Sequence, residues 1–188
     1  MKVYVDTNVL IDFVCRREPF AEQAKKLFAN AYLGKCFLQI SALSLVTTMY
    51  VAHKYGYDEV RENLKRVVSF VTVLDLESQT VIDMLSSEWK DYEDATQNHT
   101  ALLADADCIV TRNKKDFLES TLPVYTVSEF LEKYDFIGEV RETTSQPKYY
   151  INPKVKALEI GFQCQDDLSL DYDNVDIANR KSFHFGAA

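Results

Sequence analysis

Glycine and proline are scarce in this 188-residue chain, five and four residues respectively. That excludes collagen-like and low-complexity sequences, which are rich in one or both. It also leaves no Gly-x-Gly-x-x-Gly after the first apolar run, so the dinucleotide-binding fingerprint is missing. The four cysteines (Cys15, Cys36, Cys108, Cys164) are scattered, with no Cys-x-x-Cys pair. They are expected to be reduced and mostly buried, neither structural bridges nor zinc ligands. No run of 18 apolar residues occurs, and only Met1 and Lys2 precede the first β-prone segment. Neither a membrane span nor a secretory leader is expected, and the cytoplasm is the expected location. Positive charge is also short. Lys and Arg number 21 against 29 Asp and Glu, a net charge of -8 and a pI of about 4.9. Such a chain is a poor passive ligand for nucleic acid or anionic membrane. If it handles phosphates, metal ions or a local basic patch must offset its acidity.

What is present is the material of one globular domain: 47% apolar and 27% charged residues, in the ordinary range for a chain with a real core. Short apolar runs alternate with segments of helical periodicity. Val3-Tyr4-Val5 runs into the polar turn Asp6-Thr7-Asn8, and Val9, Leu10, Phe13 and Val14 then recur at helical spacing. Glu18-Pro19 is placed to start a second helix, with Gly34 to stop it. Phe37 to Ile40 reads as a strand, followed by a helix from Ser41 or Ser44 to Tyr55. Asp58 is placed to cap the next helix. Val71 to Leu74, Cys108 to Thr111 and Val124 to Val127 read as further strands. Helices are expected over Ser78 to Ser87, from the Asp94 segment, and from a Ser128 cap to Tyr134. Strands made of continuous apolar runs, alternating with helices, predict an α/β fold with a parallel sheet covered on both faces.

The pattern breaks at Asp135. Residues 135–188 carry glycines, prolines and polar runs, and their nine acidic and six basic residues account for -3 of the net charge. Residues 1–134 are therefore expected to form the α/β domain, and 135–188 an irregular extension. Apolar pieces such as Tyr149-Tyr150-Ile151 and Leu158 to Phe162, followed by interleaved aspartates, lead to the expectation that residues 148–175 dock on the domain or on a dimer mate.

In open parallel sheets, ligands bind beyond the carboxyl ends of the strands, where strand order reverses. Asp6 follows the first strand, Asn113 and Asp116 follow the Cys108 strand, and Asp94 stands in an acidic helix start, Asp91-Tyr92-Glu93-Asp94. Taken singly, each has an ordinary explanation: Asp6 or Asp91 as an N-cap, Glu93 as a cap or an outer acid of a site. Brought together at one sheet edge, these carboxylates would repel unless protonated or bridged by cations. Mg²⁺ and Mn²⁺ take oxygen ligands of this kind and can promote phosphodiester hydrolysis. Arg112, Lys114 and Lys115, just beyond the strand, could hold a nucleic-acid backbone. His53 and His99 read as ordinary helix residues.

Three ordered segments carry a resemblance. Val-Tyr-Val-Asp-Thr-Asn-Val-Leu at 3–10, Asp-Tyr-Glu-Asp-Ala at 91–95 and Ile-Val-Thr-Arg-Asn-Lys-Lys-Asp-Phe at 109–117 resemble the signatures of PIN domains, most closely those of VapC-like bacterial toxins. The resemblance covers residues 1 to 134. It implies a three-layer α/β/α, Rossmann-like fold with a parallel sheet, and a metal-dependent ribonuclease cutting RNA, commonly a homodimer held by a cognate antitoxin. By position, Asp6, Asp94 and Asp116 would be the catalytic acids and, with Asn113, the metal ligands. Thr7, Thr47, Glu93, Thr111, Arg112 and Lys114 would support those ligands or meet the substrate. The family's second acid, on the helix after strand two, falls on Thr47, and no carboxylate follows in that helix before Asp58. Fewer ligand charges imply weaker metal binding. The alternative is a catalytically impaired PIN-fold module that binds RNA or protein, with an antitoxin or its own tail as partner.

Overall fold

The computed structural model describes residues 1–134; the expectations for the extension, including docking of residues 148–175, lie outside the described residues. Five strands, β1 (Lys2–Val5), β2 (Phe37–Ser41), β3 (Thr72–Leu74), β4 (Cys108–Val110) and β5 (Val124–Tyr125), form one sheet in the order β3-β2-β1-β4-β5. Every pairing is parallel. Seven α-helices are found among the described residues: α1 (Thr7–Val14), α2 (Ala21–Tyr32), α3 (Ala42–Ala52), α4 (Tyr57–Val67), α5 (Ser78–Met84), α6 (Tyr92–Leu103) and α7 (Val127–Lys133). The three-layer α/β/α reading is correct. No described helix is long and apolar enough to cross a membrane.

Strand side chains alternate between the two faces, and both faces are covered. Val3, Val5, Leu38, Ile40, Cys108 and Val110 pack against apolar residues of α1, α2, α4 and α7. Tyr4 and Ile109 face the other way, onto Ala101 of α6 and Phe117. Each fully buried aliphatic side chain contributes roughly 1.5–3 kcal/mol, so the central strands β1 and β4 fix the edge on which the acidic residues stand. Strand order reverses at β1, between β2 and β4.

Three helix starts differ from expectation. Pro19 lies in the turn before α2, which begins at Ala21. The N-cap of α4 is Gly56, at a φ of +92°, a conformation open to glycine at little cost. Asp58 stands instead in the first turn, where its charge still favours the helix dipole. The α7 cap is Thr126, not Ser128: Thr126 Oγ1 accepts from Glu129 N at 3.2 Å, and Thr126 N donates to Glu129 Oε2 at 2.8 Å. This reciprocal box satisfies two groups that the helix leaves open. Thr126→Ala is expected to cost about 1 kcal/mol and to lower the midpoint of thermal unfolding by roughly 2–4 °C, as circular dichroism melting would measure.

Candidate active site

The site begins where β1 ends. Asp6 N donates to Val110 O at 3.0 Å, which carries the β1–β4 pairing one residue past the strand and sets Asp6 on the carboxyl edge. Asp6 is 1% exposed. Its Oδ2 accepts from Thr111 Oγ1 at 2.8 Å, and its Oδ1 from Gln97 Nε2 at 3.1 Å and Asn8 N at 3.4 Å. Burial pushes its pKa up, while the Thr111, Gln97 and Asn8 donors oppose the shift. Its backbone carbonyl accepts from the amides of Val9 and Leu10 in α1.

The second contribution comes from α6. Asp91 is its N-cap: its Oδ1 accepts from Glu93 N at 2.8 Å and Asp94 N at 3.2 Å. The capping leaves the carboxylates of Glu93 and Asp94 free for other contacts. Asp94 is partly buried, and its pKa is pushed up to about 7, by burial first and then by the negative charges of Asp6, Asp91, Asp116 and Glu93. Those charges act on Asp94 because the sheet edge and the helix start converge. Glu93 is likewise raised by burial and by Asp6 and Asp91, with Thr7 and Thr47 drawing it back. Its Oε1 is buried and lacks a hydrogen-bond partner.

The third comes from the loop after β4. Thr111 Oγ1, besides donating to Asp6, accepts from Asn113 N at 3.0 Å, and Asn113 Nδ2 donates to Asp116 Oδ2 at 2.6 Å. Asn113 and Asp116 are exposed, and a 3₁₀ turn over Lys114–Phe117 follows Asn113. Asp6, Asp94, Asn113 and Asp116 thus stand on adjoining elements of one edge. Thr7 is buried beside them; its Oγ1 lies 2.9 Å from Ser44 Oγ in the first turn of α3, and its N donates to Gln97 Oε1 at 3.0 Å. Thr47 is one turn further along α3 and partly buried.

Two of the cations are committed elsewhere. Arg112 Nη1 lies 3.3 Å from Asp12 Oδ1, and its guanidinium stacks over the Phe20 ring at 4.7 Å. Arg17 shares the same Asp12 oxygen. Lys114 is paired with Glu129 of α7 at 3.0 Å. Arg112 and Lys114 therefore tie the loop down.

Gln97 is the important residue that the sequence reading missed. It is 1% exposed, and its one amide holds both Asp6 and the first backbone N–H of α1. Its spacing offered a signal: it lies three residues after Asp94 and four after Glu93, on the same face of the helix. Gln97→Leu keeps most of the bulk and removes both bonds. If Asp6 takes part in holding a divalent cation, the change is expected to weaken Mn²⁺ binding roughly 10- to 100-fold; calorimetric titration would measure it.

Among the described residues, no three His, Cys, Asp or Glu side chains already form a closed metal-binding group. The donor chemistry nevertheless suits a hard divalent cation. The groups are all oxygen donors, Glu93 Oε1 is buried without a partner, and neighbouring carboxylates raise one another's pKa, the repulsion that a cation relieves.

The fold and sequence have known counterparts. A family model described as PIN domain matches residues 2–115. No curated protein matches the sequence. Among solved structures, the chain is similar to VapC20 of Mycobacterium tuberculosis, described as a Sarcin-Ricin loop cleaving toxin, at 12% identity and a TM-score of 0.52 over 62% of this chain and 94% of that one. It is similar to PAE2754 of Pyrobaculum aerophilum at 15% identity and a TM-score of 0.52, over 72% and 90% of the two chains. A toxin-antitoxin complex from Klebsiella pneumoniae gives 26% identity and a TM-score of 0.49 over 66% and 97%. At 12% and 15% identity, the likenesses to VapC20 and PAE2754 speak for the fold alone.

Proposed function

The chain belongs to the PIN domain family, and from that premise we propose that it is a Mg²⁺- or Mn²⁺-dependent endoribonuclease that hydrolyses RNA phosphodiester bonds at the carboxyl edge of its sheet. The observation that carries this reading is the surroundings of Asp6: a carboxylate buried at the strand-order reversal, held by Thr111, Gln97 and Asn8, with the charges of Asp94 and its neighbours gathered against it.

Asp6, Asp94 and Asp116, with Asn113, are the proposed metal ligands, and the three aspartates are the proposed catalytic acids. A bound divalent cation would offset charge developing on the phosphate oxygens and lower the pKa of water. The protein's own part is positional. Thr111 and Gln97 fix the two Asp6 oxygens. Asn113 holds Asp116 in the loop, and Thr7, beside Asp6, orients water or a phosphate oxygen. Asp94, its pKa pushed up to about 7 by burial and neighbouring charge, would release a proton where it held a cation, which would couple binding to pH. Arg112 and Lys114 hold the β4 loop against α1 and α7 and add positive charge beside an acidic site. A cognate antitoxin protein and a second copy of the chain are the proposed partners, in the cytoplasm.

The test is cleavage of single-stranded RNA by the purified chain with Mg²⁺ or Mn²⁺, in parallel with an excess of EDTA. Cation-dependent cleavage is expected; cleavage that ignores EDTA, or none at all, would reject the reading. A second reading, a catalytically impaired PIN-fold module that binds RNA or a protein partner, is favoured by one observation: α3 offers Thr47 where the family's second acid is expected. It predicts RNA or antitoxin binding without cleavage in the same assay.

A further inference from the structure

We infer that Glu93, from α6, supplies the carboxylate that α3 lacks at Thr47, so that the site takes its second acid from a different helix. This rests on the ribonuclease reading of the same site and deepens it.

Asp91 caps α6 through the backbone N–H groups of both Glu93 and Asp94, which fixes the rotation of the first turn. Glu93 and Asp94 lie four and three residues before Gln97, so all three side chains share one side of α6. Gln97 touches Asp6 directly, so that side is the one facing the end of β1. The polar side chains on Glu93 from outside α6 are Thr7, at the start of α1, and Thr47, on α3. Glu93 therefore reaches the space that a longer acid at position 47 would occupy. A carboxylate entering from α6 and one entering from α3 would compete for the same volume.

Two buried groups in this space lack partners. Glu93 Oε1 is sealed from solvent without a hydrogen bond. Tyr4 is 0% exposed, and its hydroxyl also has no partner, though it lies within the electrostatic reach of Asp6 and Glu93 and close to Ser41 and Ser44. A buried oxygen left unpaired is unfavourable. Glu93 Oε1 would find the partner it lacks in a hard cation held by these carboxylates. The glutamate is long enough to cross from α6 toward Thr47 while the adjacent Asp94 stays near its own helix. This explains how two successive residues can both serve one centre. A glutamate at position 47 would bring a further negative charge into a space already holding Glu93 and Asp6, so threonine there is the compatible choice.

The test uses the full chain, stripped with EDTA and titrated with Mn²⁺ by calorimetry, with the electron paramagnetic resonance signal of free Mn²⁺ as an independent measure of binding. Glu93→Gln keeps size and shape and removes the charge. It is expected to weaken Mn²⁺ binding by roughly tenfold or more. Adding Thr47→Glu to Glu93→Gln is expected to restore affinity to within a few-fold of the parent, because a carboxylate then enters the same space from α3. Thr47→Glu alone is expected to lower the thermal midpoint of the cation-free chain, because it crowds Glu93. Unchanged affinity in Glu93→Gln, beside a loss in Asp6→Asn, would overturn the inference and leave the ribonuclease site standing. Loss in Glu93→Gln with no recovery in the double variant would overturn the exchange between the two helices. A parent chain that binds no Mn²⁺ at millimolar concentration would overturn this inference together with the reading beneath it.

Discussion

Replacing Asp6 with asparagine is expected to reduce cation-dependent RNA cleavage by more than about 100-fold while leaving the protein folded. A hundredfold loss corresponds to about 2.7 kcal/mol of transition-state stabilisation. The loss follows from charge: Asp6 is the buried anion on which the other carboxylates converge, and an amide oxygen is a much weaker partner for a hard cation. The fold survives because the hydrogen bonds can be re-formed. An asparagine oxygen at the Oδ1 position still accepts from Gln97 Nε2 and Asn8 N. The new amide NH₂ faces Thr111 Oγ1, whose hydroxyl can turn so that its oxygen accepts a hydrogen bond from it. Because Asp6 is fully buried and its pKa is raised by that burial, removing its charge also removes a desolvation cost. The cation-free variant should therefore melt at the same temperature as the parent or above it. Cleavage of a labelled RNA and circular dichroism melting measure the two effects. Equal cleavage by the two proteins would remove Asp6 from the site, and an unfolded variant would assign it a structural role.

The second large effect concerns pH and metal removal at Asp94. Its pKa rises from the usual 3.8 to about 7 on folding, through burial and then the charges of Asp6, Asp91, Asp116 and Glu93. Between those two values the folded chain holds a proton that the unfolded chain has released. Stability in EDTA should thus fall as pH rises from about 4 to 7 and level off above 7 as far as this group is concerned. Glu93 and Asp6 are shifted in the same direction and reinforce the trend. Asp94→Asn should flatten the curve. Above pH 7 it should gain roughly 1–2 kcal/mol over the cation-free parent, well below the face value of the shift, because solvent screens a half-buried group. Mn²⁺ at pH 7.5 should raise the melting temperature of the parent by mass action and that of Asp94→Asn far less. Melting curves in EDTA from pH 4 to 8 would show this, and a parent whose stability rises steadily from pH 4 to 7 would contradict it.

Some of this was legible in the sequence. The strands announced themselves because a parallel sheet covered on both faces needs nearly unbroken apolar runs, and Val3-Tyr4-Val5 and Cys108-Ile109-Val110 supply them. The places of Asp6 and Asp94 were legible because each stands where an element ends or begins; both lie within residues 2–115, which the PIN family model matches, whereas Asp116 falls just beyond them. Helix starts were less so. Thr126 and Ser128 are both hydroxyl residues near one helix start, and only the reciprocal bonds with Glu129 decide between them. Long-range pairings were not legible at all. Nothing local says that Gln97 reaches across 91 residues to Asp6, that Arg112 is engaged by Asp12, or that Lys114 is engaged by Glu129. The sequence places these cations beside a site; only the packing of α1 and α7 shows what else they hold.

Thr111 and Arg112 are consecutive residues, yet they grip opposite ends of one helix. Thr111 bonds Asp6 at the N-cap of α1, and Arg112 bonds Asp12 near its far end. Six residues of helix separate those anchors, about 9 Å at the usual rise, a span that a long arginine side chain can bridge. The exit of β4 is thereby stitched to a rigid rod at two points. Fixing one residue of free loop costs on the order of 1–2 kcal/mol in entropy. Here that ordering is complete once the domain has folded, so the segment bearing Asn113 and Asp116 would have little freedom left to lose on taking up a ligand.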